Sequence, residues 1–220
     1  MNPKILARTV GALLLLSIFV GVAHLNKLTS EPFTSALDVD RLLLARQTIE
    51  SAVQSGFGSA LVSLLTTLGF FLLLRQTNST LAGLAAMLRL ADVVGHLFTA
   101  YLSLQMLQLI RAPEDSIDWA LLRSLYEQRI DVFHLALATL SLGVGLNFYL
   151  LARDELVPKL LDYYGVIASL YVTASITAMA ITPAIGNYVY PWYTYANGVA
   201  YLSLTAWLIV FGVSDRRVRE

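Results

Sequence analysis

Three residues in the stretch LRLADVVGHLFTAYLSL, residues 88 to 104, carry groups able to do chemistry: Arg89, Asp92 and His96. Spacings of three and four place them on one face of a helix. A guanidinium and a carboxylate so placed can neutralise each other, hold a small charged solute or, with the imidazole, pass a proton. The same face continues through Ala82 and Ala85 or Ala86 on one side and Thr99 and Ser103 on the other, while Leu81, Leu84, Leu88 and Leu102 fall elsewhere. Small and polar side chains belong against other helices and leucines tolerate lipid, so the pattern predicts that the charged face points into a bundle. A lone charge at the centre of a membrane costs roughly 3 kcal/mol on insertion scales. That cost predicts Arg89 and Asp92 as a compensating pair, with Asp92 leaning back along its helix and Arg89 reaching toward the interface.

A second set lies on RIDVFHLALATL, where Asp131 and His134 are one turn apart, and His24 closes the first apolar run. The candidate polar core and ligand-binding set is therefore Arg89, Asp92, His96, Asp131 and His134, with no side chain given a catalytic role. A zinc site would draw on His24, His96, His134 and either Asp92 or Asp131. No close ligand spacing such as His-Glu-x-x-His supports it. With the fourth apolar helix entering the membrane near Ile130, the level of His96 falls near Leu140, roughly 10 Å deeper than His134 at 1.5 Å per residue. The sequence thus predicts no metal and no cofactor. Asn147, Asn197, Gln54 and Gln105 are candidates for interhelical hydrogen bonds, each worth well under about 2 kcal/mol.

These residues sit in a chain that is 57% hydrophobic and 14% charged, against roughly 25% charged in an ordinary soluble domain. Such a chain cannot coat a water-facing surface. Its formal net charge is zero, so nothing suggests a nucleic-acid partner. It has no cysteine, which removes disulfides, thiolate metal sites and cysteine nucleophiles. Six segments are long and apolar enough to cross a hydrocarbon core of about 30 Å: Thr9–Leu25, Phe57–Leu74, Leu81–Ile110, Val132–Leu151, Tyr163–Ile181 and Trp192–Val213. The expected fold is all-α, one six-helix transmembrane domain over residues 1–220, with no alternating pattern of a barrel. The first segment exceeds the apolar length of a secretory signal, which predicts an uncleaved anchor.

Lys4, Arg8, Arg75, Arg153, Lys159, Arg216, Arg217 and Arg219 cluster on short tails and loops of one side; Lys27, Arg41, Arg46, Arg111, Arg123 and Arg129 are diluted over longer loops on the other. The positive-inside rule then places the chain in the inner (plasma) membrane with both termini cytoplasmic. The two long outer loops carry amphipathic stripes. Val39, Leu42, Leu43 and Ile49 share one face within residues 36 to 50, and Ile117, Leu121 and Leu125, with Trp119 and Tyr126 beside them, follow Pro113. They predict interfacial helices at the headgroups or a lid over an outward-facing cavity. Neither loop holds a Gly-rich phosphate cradle or a nucleophile elbow.

The first span ARTVGALLLLSIFVG, the third-span LRLADVV, the fourth-span FHLALATLSLGVGLNFYLLARDELVPKLL and the apolar fifth span resemble domain-of-unknown-function family 4386, small multi-pass prokaryotic membrane proteins. By that resemblance Arg89 and Asp92 match an arginine-plus-acid motif and His134 a fourth-span histidine. Arg153, Pro158 and Lys159 match a basic, proline-containing cytoplasmic turn. The chain departs in having Phe148 and Asp162 where glycines are expected, which bears on close packing at that turn. The family implies no established activity.

Three classes of function follow: a non-enzymatic ligand-binding or transport-like bundle using the Arg89, Asp92, His96 face; a structural or partner subunit in which the charges fix helix register; and a membrane-embedded metal-dependent hydrolase. The first is favoured, and the third ranks last because the metal spacing is poor. No inverted repeat adds weight to transport. The expected partners are the lipid bilayer, a small-molecule, lipid or ion ligand, and another copy or membrane subunit.

Overall fold

A computed structural model describes the backbone of residues 2–29, 39–113 and 116–214. Among these the secondary structure is helical: α1 (Pro3–Thr29), α2 (Val39–Leu74), α3 (Ser79–Ile110), α4 (Trp119–Arg153), α5 (Lys159–Ile181) and α6 (Gly186–Val210), with a short 3₁₀ turn at Pro183–Ile185. Local chemistry sets several boundaries. Asn78 caps α3 by accepting the Leu81 amide, and Asp118 caps α4 by accepting that of Leu121, each satisfying an orphan first-turn donor. Pro158, extended at φ −60° and ψ 133°, stops the preceding chain and opens α5.

Each helix packs on its neighbours in sequence, and α6 returns to pack on α1, so the six close into an up-and-down ring. The perimeter is apolar, with Leu16, Phe19, Leu65, Met87, Val94, Leu135 and Ile167 exposed. Among the described residues, five helices are long and apolar enough to cross a membrane: Pro3–His24, Arg46–Leu74, Ser79–Ile110, Trp119–Arg153 and Lys159–Ile181. The sequence led us to expect six such spans. The sixth helix forms and closes the ring but is not among these five. The chain is a multi-pass membrane protein.

The amphipathic segments are not separate helices lying on the bundle. Residues 39–50 are the first turns of α2, and residues 119–129 those of α4, each colinear with the span that follows. Ile49, Ile117 and Leu122 bury against Met106, Leu107 and Ile110 at the end of α3, with Leu125 and Tyr126 partly buried beside them. Trp119 and Leu121 remain exposed. The stripe turns toward α3 because a helix already anchored in the bundle covers more apolar surface there than it would lying flat. Residues 36–38 and the side chains of Val39, Leu42 and Leu43 lie outside the described residues.

The opposite end, where the tight turns lie, is tied by hydrogen bonds. The Thr77 hydroxyl donates to Asp154 Oδ2 at 2.7 Å, joining the α2–α3 turn to the α4–α5 turn. The Ser214 amide donates to the Leu156 carbonyl at 3.1 Å and its hydroxyl to the Glu155 carbonyl at 2.7 Å. Gly212, at φ +72°, supplies the left-handed residue that lets the chain leave α6 beside Lys4.

Candidate functional site

The inward face of α3 carries the polar groups. Ala82, Ala85, Arg89, Asp92, His96, Thr99, Ser103, Met106 and Ile110 are buried along it, and so is Leu102. Arg89 is 2%, Asp92 5% and His96 9% exposed. The face can sit deep because α4 comes close: Gly95 packs on Ala136, and Gly143 packs on the Ala85 carbonyl and the Arg89 side chain.

Arg89 and Asp92 are both inside, yet they do not form the direct pair that their spacing predicts. Each takes a partner on α2. Asp92 Oδ2 accepts the Ser63 hydroxyl at 2.6 Å, and Arg89 Nε donates to Thr67 Oγ1 at 3.3 Å. The reason is register. Ser63 and Thr67 are one turn apart on a helix antiparallel to α3, so they meet Asp92 and Arg89 as rungs. Hydrogen bonds to charged groups contribute about 1.5–3 kcal/mol, which offsets part of the charge-burial cost. The other oxygen, Asp92 Oδ1, lies 3.4 Å from His96 Nε2. The Arg89 guanidinium sits over the Phe70 ring, 5.2 Å from its centre, a cation–π contact worth about 2 kcal/mol when desolvated.

Five helices converge at Arg89. Leu14 of α1, Phe70 of α2, Asn147 and Phe148 of α4 and Tyr201 of α6 join it around a cavity of about 10 Å³, room for roughly one water molecule. Asn147 is 3% exposed, and its Nδ2 has no hydrogen-bond partner in the protein.

Further along the same face lie the histidines. His24 is 1% exposed, its Nδ1 is 2.9 Å from Ser55 Oγ, and its ring meets that of His96 edge to face with centres 5.1 Å apart. His24 and His96 therefore share a level, although the sequence had placed His96 deeper. His134 comes closer to that level than the sequence suggested: Gly95 faces Ala136, so the residue opposite His96 on α4 lies near 135 and not near Leu140. The small-residue contact, rather than the start of the apolar run, sets the α3–α4 register. His134 is half-buried, with its ring 6.1 Å from that of Phe133. Asp131 is exposed and makes no hydrogen bond or ion pair among the described residues. Among those residues no three histidine or carboxylate side chains converge as metal ligands.

The model of a protein family described as a domain of unknown function, DUF4386, matches residues 9–212. The chain belongs to this family. No curated protein and no solved structure matches it. The two places where this DUF4386 chain carries larger residues than the resemblance implies are both packed tightly. The Phe148 ring lies directly on Gly165 of α5, where the absence of a side chain makes room for it. Asp162 is fully buried in the first turn of α5, with neither carboxylate oxygen hydrogen-bonded in the protein.

One large polar residue read from the sequence as an outer-loop charge lies inside the bundle. Arg129 is 1% exposed, donates to Ser103 Oγ at 3.2 Å and stacks over Tyr126 at 5.2 Å. Its signal was present: 122, 125 and 129 continue the apolar stripe of the α4 entry, and an arginine on such a stripe points inward.

Proposed function

We propose that this chain is a non-enzymatic membrane module that binds a small polar or ionic solute, in a transport-like manner, along the buried face of α3. The observation that carries the reading is the length of that face. Buried polar groups run from Arg89 to Ser103, fourteen residues or about 21 Å of helix, and Arg129 extends them on α4. That is about two-thirds of a hydrocarbon core. Two of the side chains along it, Asn147 at Nδ2 and His96 at Nδ1, have no hydrogen-bond partner within the protein. Buried donors and acceptors in that condition point to a water, ion or ligand as the missing partner. In this reading the chain lies in the inner membrane with both termini cytoplasmic, and the Arg89 end of the face is the cytoplasmic half. A structural role, in which the rungs to Ser63 and Thr67 only fix helix register, is the second reading, favoured by how well those rungs serve Arg89 and Asp92.

Native mass spectrometry of the detergent-purified chain separates the two. The wild type retains a species of defined mass that Arg89→Gln loses, while Met87→Gln on the lipid-facing surface keeps it. Identical spectra for all three, each showing only the bare chain, refute the binding role.

A further inference from the structure

We infer that His24 and His96 form a shared proton-binding site, in which one added proton makes a hydrogen bond that ties α1 to α3. This deepens the proposed binding role, because the site lies on the same face of α3.

The hydrogen bonds around the two rings assign their tautomers. Ser55 Oγ donates to the Ala52 carbonyl at 3.1 Å, so its hydrogen is committed and it accepts from His24 Nδ1. His24 Nδ1 then carries the ring proton, and Nε2 is a bare lone pair. Thr99 Oγ1 stands 3.5 Å from that Nε2 but gives its hydrogen to the His96 carbonyl at 2.9 Å. At His96 the Asp92 carboxylate lies on the Nε2 side at 3.4 Å, which favours the ring proton on Nε2. His96 Nδ1 is left as a second bare lone pair, buried and without a partner. Two unprotonated imidazole nitrogens thus belong to rings in contact.

The spacing suits a proton between them. Two imidazoles joined nitrogen to nitrogen at an ordinary hydrogen-bond length have ring centres about 5 Å apart. The observed separation is 5.1 Å, with an interplanar angle of 72°. Forming the bond requires the rings to turn out of their edge-to-face arrangement until the two nitrogens face each other. A proton taken up at His96 Nδ1 is donated to His24 Nε2, and two unsatisfied acceptors become one satisfied bond. No bond other than N–H forms or breaks, and the positive charge is shared by the pair.

The surrounding charges decide whether the cation is tolerated. On α3, Asp92 is adjacent and Arg89 is a further turn away; on α1, His24 is the pair's own member. On α2 the facing groups are the neutral Ser55 and Ser63. On α4, Arg129 acts on His24 at range, His134 is half-buried and Asp131 is exposed; on α6, Tyr201 lies by Arg89. Asp92 is the one negative group in contact, so it is the counter-charge.

The test is nitrogen NMR of the full chain in lipid nanodiscs, with the imidazole rings of its three histidines labelled and assigned by His134→Gln. At alkaline pH, His24 shows a proton on Nδ1 only and His96 on Nε2 only. On acidification both bare-nitrogen signals move together, with one proton taken up between them. Asp92→Asn keeps the fold and lowers the proton affinity of the pair by about tenfold, the effect of one lost adjacent charge. His24→Phe leaves His96 to titrate alone. Independent titration of the two rings in the wild type, an Nδ1 proton on His96 at alkaline pH, or no effect of Asp92→Asn overturns the inference. None of those results alters whether a solute is retained in mass spectra, so the binding role stands or falls separately.

Discussion

Replacing Gly143 by alanine tests how the bundle affords a buried arginine. A Cβ at Gly143 would stand 2.8 Å from the Ala85 carbonyl oxygen, 2.9 Å from Arg89 Cγ and 3.2 Å from the Arg89 amide nitrogen. Two of those three atoms are backbone, so the strain cannot be relieved by turning a side chain; α4 must move away from α3. Overpacking of this kind costs about 1–3 kcal/mol. Alanine returns up to about 1 kcal/mol through its better helix propensity. The net expectation is a loss of about 0–2 kcal/mol against the wild type, and of about 1–3 kcal/mol against a helix glycine replaced by alanine without overpacking, with Arg89 shifted from Thr67. Gly83 is the control: it lies on α3, and a Cβ there meets nothing within 4 Å, so Gly83→Ala should be neutral or stabilising. Both variants are unfolded in detergent and followed by tryptophan fluorescence. A Gly143→Ala protein as stable as Gly83→Ala would refute the claim that this glycine sets the approach of α3 and α4.

Three further outcomes follow from the geometry. Ser63→Ala removes the 2.6 Å donor to Asp92 and should lower stability by about 1.5–3 kcal/mol, the range for a bond to a charged group; a loss below about 0.5 kcal/mol in the same unfolding assay would mean Asp92 is held by something else. For topology, single cysteines at Ser79 and Ser214 should resist an impermeant thiol reagent in intact cells while one at Ser116 reacts, and the reverse labelling would invert the orientation. Chain purified without chelator should carry zinc far below one equivalent, because two histidines alone fall short of a zinc ligand set; elemental analysis near one equivalent, abolished by His24→Ala and by His96→Ala, would promote the hydrolase reading.

The sequence made the helices legible because apolar length and periodicity are local properties. Positions 82, 85, 89, 92, 96, 99 and 103 could be grouped from spacing alone, and the structure buries all seven. What spacing could not show was partner choice. Nothing within LRLADVV says that Ser63 and Thr67 will present hydroxyls at the right interval, since that depends on the α2–α3 register. Depth misled for a related reason. Counting from an assumed membrane boundary placed Leu140 beside His96, whereas the fit of Gly95 on Ala136 decides the alignment. Arg129 was read as a loop charge because α4 begins at Trp119, well before the apolar run. For the sixth span the sequence suggests Trp192–Val213, whereas α6 runs Gly186–Val210, because its first turns carry asparagine, tyrosine and proline rather than an unbroken apolar run.

Ring closure also orders events during synthesis. The first helix packs on α2 and α6, so one of its two walls is absent until α6 has been made. From Thr29 to Gly186 the ribosome needs on the order of ten to thirty seconds at ordinary rates. For that interval the groove beside α1 is open to the bilayer, and Arg89 lacks Tyr201 and Leu204, the lining residues that α6 supplies. The arginine is inserted early and enclosed late. Its rung to Thr67 on α2 needs only the second and third helices, so this hydroxyl is in place to hold the guanidinium through the nascent stage.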